Sequence, residues 1–362
     1  MKIQRVQVGH YNVPLETTLS DSTHGDITHF ALVTARISTA CGVEGLGYTY
    51  TVGKTGGAAV RAHLEYDIAP WLIGEDPRRT EQLWWKMWSG LHYAGRGGAA
   101  CFAISAADTA LWDLKARSAG EPLWRFLGGH DPRVKVYAGG IDLMMPLDQL
   151  REQTHANLAR GFRAIKMKVG RPRLADDLER VAAVREILGP EMPLMVDANM
   201  RWSPEEAIRA ARALRQFDVF WLEEPIIPDD VDGHVRVARD GGVSIATGEN
   251  MHTLYEFQKA VASGAVAFPE PDLSNVGGVT AWMKVARLAE AFNLPVTTHG
   301  VHDLHVHLLA AVPNASYLEA HGFGLERFLR HPMEIRDGVT IAPDRPGHGV
   351  EIDWAALEAV RA

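Results

Sequence analysis

Six ionisable residues follow one another down the second half of the chain, Lys168, Asp197, Glu223, Glu249, Asp272 and His299, at intervals of 23 to 29 residues. Three carboxylates in such a series suit a hard divalent cation such as Mg²⁺, with a lysine on one side and a histidine on the other to move protons. The interval is the length of one strand, one helix and two loops, the period of a βα repeat. A parallel barrel presents its chemistry at the C-terminal ends of its strands, so this period would gather scattered side chains into one mouth.

Each residue also has a local context. "MVDAN" and "FWLEEP" place Asp197 and Glu223 directly after short apolar runs, and "IATGEN" presents Glu249 just past another. One such acid could equally cap the helix that follows it. Three in register are better explained as metal ligands, with Glu224 in support. Mg²⁺ wants six oxygens and keeps positions open for water or substrate, which three monodentate carboxylates would leave.

"IKMKVG" sets Lys166 and Lys168 two residues apart, so on a strand both point to one face. In a barrel that face is the interior, where an unused ammonium is costly to bury. Mutual repulsion and a nearby metal should lower their pKa, making Lys168 a usable base, while Lys166 contacts a substrate carboxylate. "PVTTHG" and "FPEPDLS" put His299 and Asp272 at the ends of neighbouring strands. Such a pair fixes the imidazole tautomer and makes His299 a general acid or base. Asn199, two past Asp197, and Glu319, at the end of the eighth strand, are expected polar contacts to substrate or, equally, supports for the residues that make them.

A metal and a lysine together stabilise the second negative charge that appears when a proton leaves the carbon beside a carboxylate. The product of that step is an enediolate, and Lys or His bases acting with Mg²⁺ are an established pattern for it.

The elements that must hold these residues can be read from the pattern. Residues 2–51 alternate and carry turn signals, which predicts a small antiparallel sheet. Apolar residues at three- and four-residue spacing predict helices over 58–72, 80–91 and 99–119, the last stopped by Gly120. Eight short apolar strand candidates then alternate with helices, at 135–138, 164–169, 194–196, 220–222, 244–246, 265–268, 295–298 and 317–318. That order predicts a closed parallel barrel with strands buried on both faces. The main rival, an open doubly wound sheet, would normally carry a glycine-rich phosphate loop that "YAGGID" lacks. The expected domains are an α+β unit at 1–130, a barrel at 131–321, and a turn-rich tail at 322–362 that packs back on the first.

Composition narrows the partners. The chain has 362 residues and a net charge of −8, with both signs mixed throughout, so no nucleic-acid surface is expected. Cys41 and Cys101 are too few for a disulfide framework and favour a reducing compartment. No apolar run is long enough for a membrane span and no leader pattern is present, so the expectation is a cytoplasmic protein acting on a small molecule.

Taken as a set, "KMK", "VDAN", "LEEP", "TGEN", "PD" and "THG" resemble the enolase superfamily, specifically its mandelate racemase subgroup, along essentially the whole chain. The resemblance implies an α/β fold, a (β/α)7β TIM-like barrel with an α+β capping domain formed by both chain ends. It also implies one Mg²⁺ per subunit and a homo-oligomer, often an octamer. The sequence departs from that pattern at Glu270 in "PEPD", where relatives often have Gln before the proline.

The loops "LSDSTHGDITHFALV" and "GLGYTYTVGKTGG" resemble those of acid-sugar dehydratases and 3,6-anhydro-L-galactonate cycloisomerases more than that of mandelate racemase itself. Ser20, Asp21, His24, Tyr48 and Lys54 form a hydrogen-bonding set suited to a polyhydroxylated acid, with Arg96 supporting the same region. Ordinary solvated loop residues are the plain alternative. The leading expectation is a Mg²⁺-dependent acid-sugar dehydratase, in which Lys168 or His299 removes the α-proton and an acid expels a β-oxygen. A ring ether as leaving group would make it a cycloisomerase, and no leaving group at all a racemase or epimerase. A carbohydrate-acid sensor without turnover would need an incomplete site, which this is not.

Overall fold

The computed structural model describes residues 1–362. β1 (Ile3–Asp21), β2 (Gly25–Thr39) and β3 (Glu44–Val52) form an antiparallel sheet in that order. Helices Thr80–Leu91 and Ala99–Ala119 have the predicted bounds, and Gly120 ends the second in a left-handed conformation with φ 72°. The alanine-rich Ala99–Ala119 helix lies directly on β3. Gly45 and Gly47 permit this: a Cβ on either would sit 2.1 Å from a helix carbonyl, that of Ala110 or Ala106. The helix expected over 58–72 is three joined segments, with a π-helical turn at His63–Ile68 ahead of Pro70. Pro70 cannot donate to the carbonyl four residues back, and the wider turn absorbs that defect.

The barrel follows. β4 (Arg133–Gly139), β5 (Ile165–Lys168), β6 (Leu194–Asp197), β7 (Trp221–Glu223), β8 (Ile245–Thr247), β9 (Phe268–Pro269) and β10 (Tyr317–Ala320) pair in parallel, and β10 returns to β4. Between β9 and β10 the expected seventh strand is not a regular one. Its segment makes a single bridge, Val296 to Ala315, yet still closes the ring: Thr297 N–H donates to the Pro269 carbonyl and Val296 N–H to that of Asn314. The sixth strand is also shorter than expected, only Phe268–Pro269, since Pro269 has no N–H to extend a ladder. Tyr137, Met195, Trp221 and Ala246 fill the interior, so the barrel is a packed core with a mouth and not a pore.

The tail divides. β11 (Val339–Ile341) pairs antiparallel with the start of β4, on the barrel. Elsewhere the tail packs on the capping domain: Phe323 stacks on Tyr50 of β3, His348 Nε2 donates to the Leu46 carbonyl of β3 at 2.7 Å, and at the end Asn12 N–H donates to the Val360 carbonyl and Ala362 N–H to that of His10.

Candidate active site

Strand register builds the first half of the site. Lys168 on β5 lies opposite Asp197 on β6, and Asp197 opposite Glu223 on β7, so the three side chains share one level of the barrel. Lys168 Nζ donates to Asp197 Oδ2. Lys166 Nζ, one level deeper, lies 2.5 Å from Glu223 Oε1, 2.9 Å from Glu319 Oε1 and 3.7 Å from Asp197 Oδ2. Glu249 follows β8 and leans inward, accepting from Asn250 Nδ2 at 3.2 Å and from Asn199 Nδ2 at 3.5 Å.

Opposite Lys168, His299 Nδ1 sits 3.0 Å from Asp272 Oδ2, and its Nε2 lies 3.0 Å from Glu249 Oε2 and 4.0 Å from Glu319 Oε2. Asp272 is fixed in turn by the N–H and hydroxyl of Ser274, each donating to Oδ1 at 2.7 Å. A third donor comes from the other domain: the Tyr50 hydroxyl, on β3, reaches Asp272 Oδ2 at 2.8 Å. Tyr50 stacks on Phe323, with ring centroids 3.9 Å apart.

The backbone around the mouth is strained. Asn199, Met200, Glu224 and Val301 hold φ values of 43°, 62°, 38° and 34°, in the left-handed region that non-glycine residues avoid. Each lies within three residues of Asp197, Glu223 or His299, and such strain persists only where surrounding contacts overdetermine it. Val301, β-branched, is the sharpest case.

The capping loop Asp21–His24 is tied onto this backbone. Ser22 Oγ donates to the Ala198 carbonyl at 2.7 Å, and Thr23 Oγ1 donates to that of Asn199 at 2.5 Å. Asp21 Oδ1 accepts the N–H groups of Thr23 and His24, and Oδ2 pairs with His24 Nδ1 at 2.8 Å.

The structure therefore brings Lys166, Lys168, Asp197, Asn199, Glu223, Glu249, Asp272, His299 and Glu319 together, with His24 over them. Three other capping residues make no bond to this cluster. Tyr48 is buried with its hydroxyl unpartnered, while Lys54 and Arg96 are exposed and form no ion pair. Tyr50, not singled out from the sequence, is the β3 tyrosine at the dyad. Its only signal was its place two residues past Tyr48, on the same face of the strand. Asp142 was also missed: buried after β4, it accepts the Lys168 backbone N–H at 3.0 Å and pairs with Arg180.

The electrostatics differ from the expectation for the lysines. Burial and Lys166 push the Lys168 ammonium down, but Asp197, Glu249 and Glu223 outweigh them and hold it above the ordinary lysine range. Lys166 is likewise raised against burial by Glu223 and Glu319. The facing carboxylates win because several of them surround each ammonium, at least one in direct contact. Burial also opposes the charged form of His299, yet Glu249 and Asp272 hold it well above the ordinary histidine value. Asp272, buried, is kept below the usual carboxylate range by its bonds to His299.

A metal fits the acidic cluster. One oxygen from each of Asp197, Glu223 and Glu249 can be chosen so that all lie within 4.8 Å of one another. That span matches octahedral oxygen coordination of a small divalent ion. Glu249 Oε2 is buried and, despite its closeness to His299, accepts no hydrogen bond of good geometry, an orphaned oxygen in the right place.

Comparison with known proteins agrees with this arrangement. Residues 5–128 match the family described as mandelate racemase / muconate lactonizing enzyme, N-terminal domain, and residues 149–356 match enolase C-terminal domain-like. A 3,6-anhydro-alpha-L-galactonate cycloisomerase of Streptomyces coelicolor is 56% identical over 98% of both chains. The crystal structure of a racemase from Streptomyces coelicolor A3(2) with bound magnesium superposes with a TM-score of 0.97 at 54% identity, covering 99% of this chain and 100% of that one. An L-talarate dehydratase from Polaromonas sp. JS666, complexed with Mg and L-glucarate, gives 0.94 at 39% identity over 100% and 97%. With both domains matched and the site's geometry intact, this chain is an enzyme of the enolase superfamily and belongs to its mandelate racemase subgroup.

Proposed function

We propose that the protein is a Mg²⁺-dependent 3,6-anhydro-galactonate cycloisomerase, abstracting the proton α to the carboxylate and eliminating the β-ring oxygen. The observation that carries the proton-abstraction step is the placement of Lys168 and the Asp272–His299 pair on either side of one carboxylate cluster. The anhydro substrate is supported by the 56% identical relative of that activity, matched over 98% of both chains. Asp197, Glu223 and Glu249 would hold the ion, which when bound supplies a Lewis acid that stabilises the carboxylate's second negative charge.

Lys166 contributes a buried positive charge beside the substrate carboxylate, and Lys168 or His299 takes the α-proton. Asp272 holds the His299 ring with Nε2 facing the cluster. Glu319 and Asn199 orient the substrate's hydroxyl groups. The capping strands exclude water from above, since Tyr50 and the Asp21–His24 loop both bond to the barrel. The protein works as a homo-oligomer, supported by the stacked, partly exposed Trp84, Trp85 and Trp88 on one helix, an aromatic patch of the kind that subunit interfaces cover. Light scattering checks this.

A second reading, a hexarate dehydratase, is supported by the 39% identical L-talarate dehydratase. One assay separates the two. The Mg²⁺-loaded enzyme is offered 3,6-anhydro-galactonate and, separately, galactarate and L-talarate, and 2-keto acid is read by semicarbazide. Keto product of unchanged mass from the anhydro acid is expected. Product lighter by one water from the hexarates alone would make it a dehydratase, and turnover of neither would defeat both.

A further inference from the structure

Elimination needs a proton for the departing oxygen as well as a base for the α-carbon. In the barrel, His299 and Lys168 are the two candidates for the base, and the Nε2 of His299 faces Glu249 and Glu319. The ring oxygen leaves from the β-carbon, beyond the carboxylate that the metal ligands would hold, and the cap closes the mouth above those ligands through Ser22 and Thr23. There the cap presents a second Asp–His pair. His24 Nδ1 is held at 2.8 Å by Asp21 Oδ2, and no hydrogen-bond partner occupies its Nε2. Asp21 is buried and doubly anchored to its own loop, and the loop is anchored by Ser22 and Thr23 to the carbonyls of Ala198 and Asn199. The flanking strand end is laced to the barrel too: Ser20 exchanges backbone hydrogen bonds with Ile141 and Leu143, beside the Asp142 that accepts the Lys168 N–H.

The pair thus has the parts of a proton donor: a carboxylate that fixes the tautomer, a free Nε2, and a mount indexed to the metal-ligand strand. The His24 side chain is 42% exposed, which lets solvent return its proton after each turnover. The Asp21 hydrogen bond raises His24 above the ordinary histidine value against the burial that would lower it. Glu249 adds to the raise and Lys168 opposes it, so both lie within electrostatic reach of the ring.

We infer that His24, oriented by Asp21, is the general acid that protonates the leaving ether oxygen, a role that rests on the cycloisomerase reading above. The balance is simple. Lys168 or His299 accepts the α-proton. The β C–O bond breaks with its electron pair on the ring oxygen, which takes the proton from His24 Nε2. The resulting enol loses its hydroxyl proton and gains one at the β-carbon, giving the keto acid with no net change in composition.

The test is deuterium wash-in with the Mg²⁺-loaded enzyme and 3,6-anhydro-galactonate in deuterated water, for wild type, His24→Gln, Asp21→Asn and His299→Ala. Loss of a general acid costs about 10² to 10⁴ in rate, so His24→Gln should lose elimination by at least that lower figure while still exchanging the substrate's α-hydrogen. Asp21→Asn should show the same uncoupling more weakly. Continued exchange also proves the variant folded. The inference is overturned if His24→Gln eliminates at nearly the wild-type rate, if it loses exchange and elimination together, or if His299→Ala is the variant that exchanges without eliminating. Wild type that neither exchanges nor eliminates brings down the cycloisomerase reading, and this inference with it.

Discussion

The Tyr50 hydroxyl donates to Asp272 Oδ2 at 2.8 Å, on the same oxygen that lies 3.0 Å from His299 Nδ1. One residue of the capping sheet and one of the barrel thereby share a single acceptor. The domain that closes over the mouth also fixes the histidine that works inside it. Closure and acid–base alignment are one structural event here.

Tyr50→Phe keeps the ring and its stacking on Phe323 but removes that donor. A buried hydrogen bond to a charged group contributes about 1.5 to 3 kcal/mol, so the melting temperature should fall measurably. If the bond holds the dyad in its working geometry, kcat should drop by about tenfold, near 1.4 kcal/mol in the barrier. KM should change little, because Tyr50 bonds the dyad and not the mouth's polar contacts. Steady-state kinetics and a thermal melt on one preparation decide it, and an unchanged kcat would reduce Tyr50 to a packing residue.

Lys168→Ala and His299→Ala separate the base from its counterpart. The variant lacking the base should lose α-hydrogen exchange in deuterated water along with turnover. The other should retain exchange and, with His24 as the acid, elimination as well. Both should still bind metal, since Asp197, Glu223 and Glu249 remain. Exchange surviving in both variants would mean that neither residue is the sole base.

Much of this was legible in the sequence because the constraints were local. The Ala99–Ala119 helix follows from a three- and four-residue apolar period and a glycine able to take φ 72°. The ligand strands follow from apolar runs ending in an acid, and register then sets Lys168, Asp197 and Glu223 at one level. What escaped was set by distant parts of the chain. Pairing of β11 with β4 joins residues roughly two hundred apart, which no local period reports. The seventh stave is held by bonds to Pro269 and Asn314 and not by a ladder of its own. Choosing Tyr50 over Tyr48 depends on how the cap docks, and the lysines' titration depends on carboxylates that come together only in the folded barrel.

His307 offers a prediction about pH. It is fully buried, with Nε2 2.8 Å from the His348 carbonyl and Nδ1 accepting the Trp124 N–H at 3.3 Å, an arrangement that suits the neutral ring. Burial, with His348 adding to it, pushes its pKa down to about 3 from an ordinary 6.5. Above pH 6.5 the ring is neutral in both folded and unfolded chains. As the pH falls below 6.5 the unfolded chain binds a proton that the folded one refuses, so stability drops until about pH 3. Between pH 7 and 5 this one group should cost about 2 kcal/mol. Urea unfolding at the two pH values should show a loss that is smaller in His307→Gln by about that amount, and equal losses would mean that the folded ring protonates freely.

The acidic cluster should make stability depend on magnesium as well as activity. Asp197 and Glu223 are fully buried and Glu249 nearly so, and their oxygens converge within 4.8 Å. Carboxylates held that close repel one another, and the two lysines offset only part of that charge. An ion that binds the folded site and not the unfolded chain stabilises by about 2.7 kcal/mol at a hundred times its dissociation constant. The melting temperature of chelator-treated protein should therefore rise with added Mg²⁺ and level off at saturation. Glu249→Gln removes one ligand charge while leaving the lysine pairs of Asp197 and Glu223 in place. In that variant the rise should be displaced to much higher Mg²⁺, and chelation should have little further effect on its melting temperature. A wild-type melting temperature indifferent to Mg²⁺ would mean that these three carboxylates do not form the metal site.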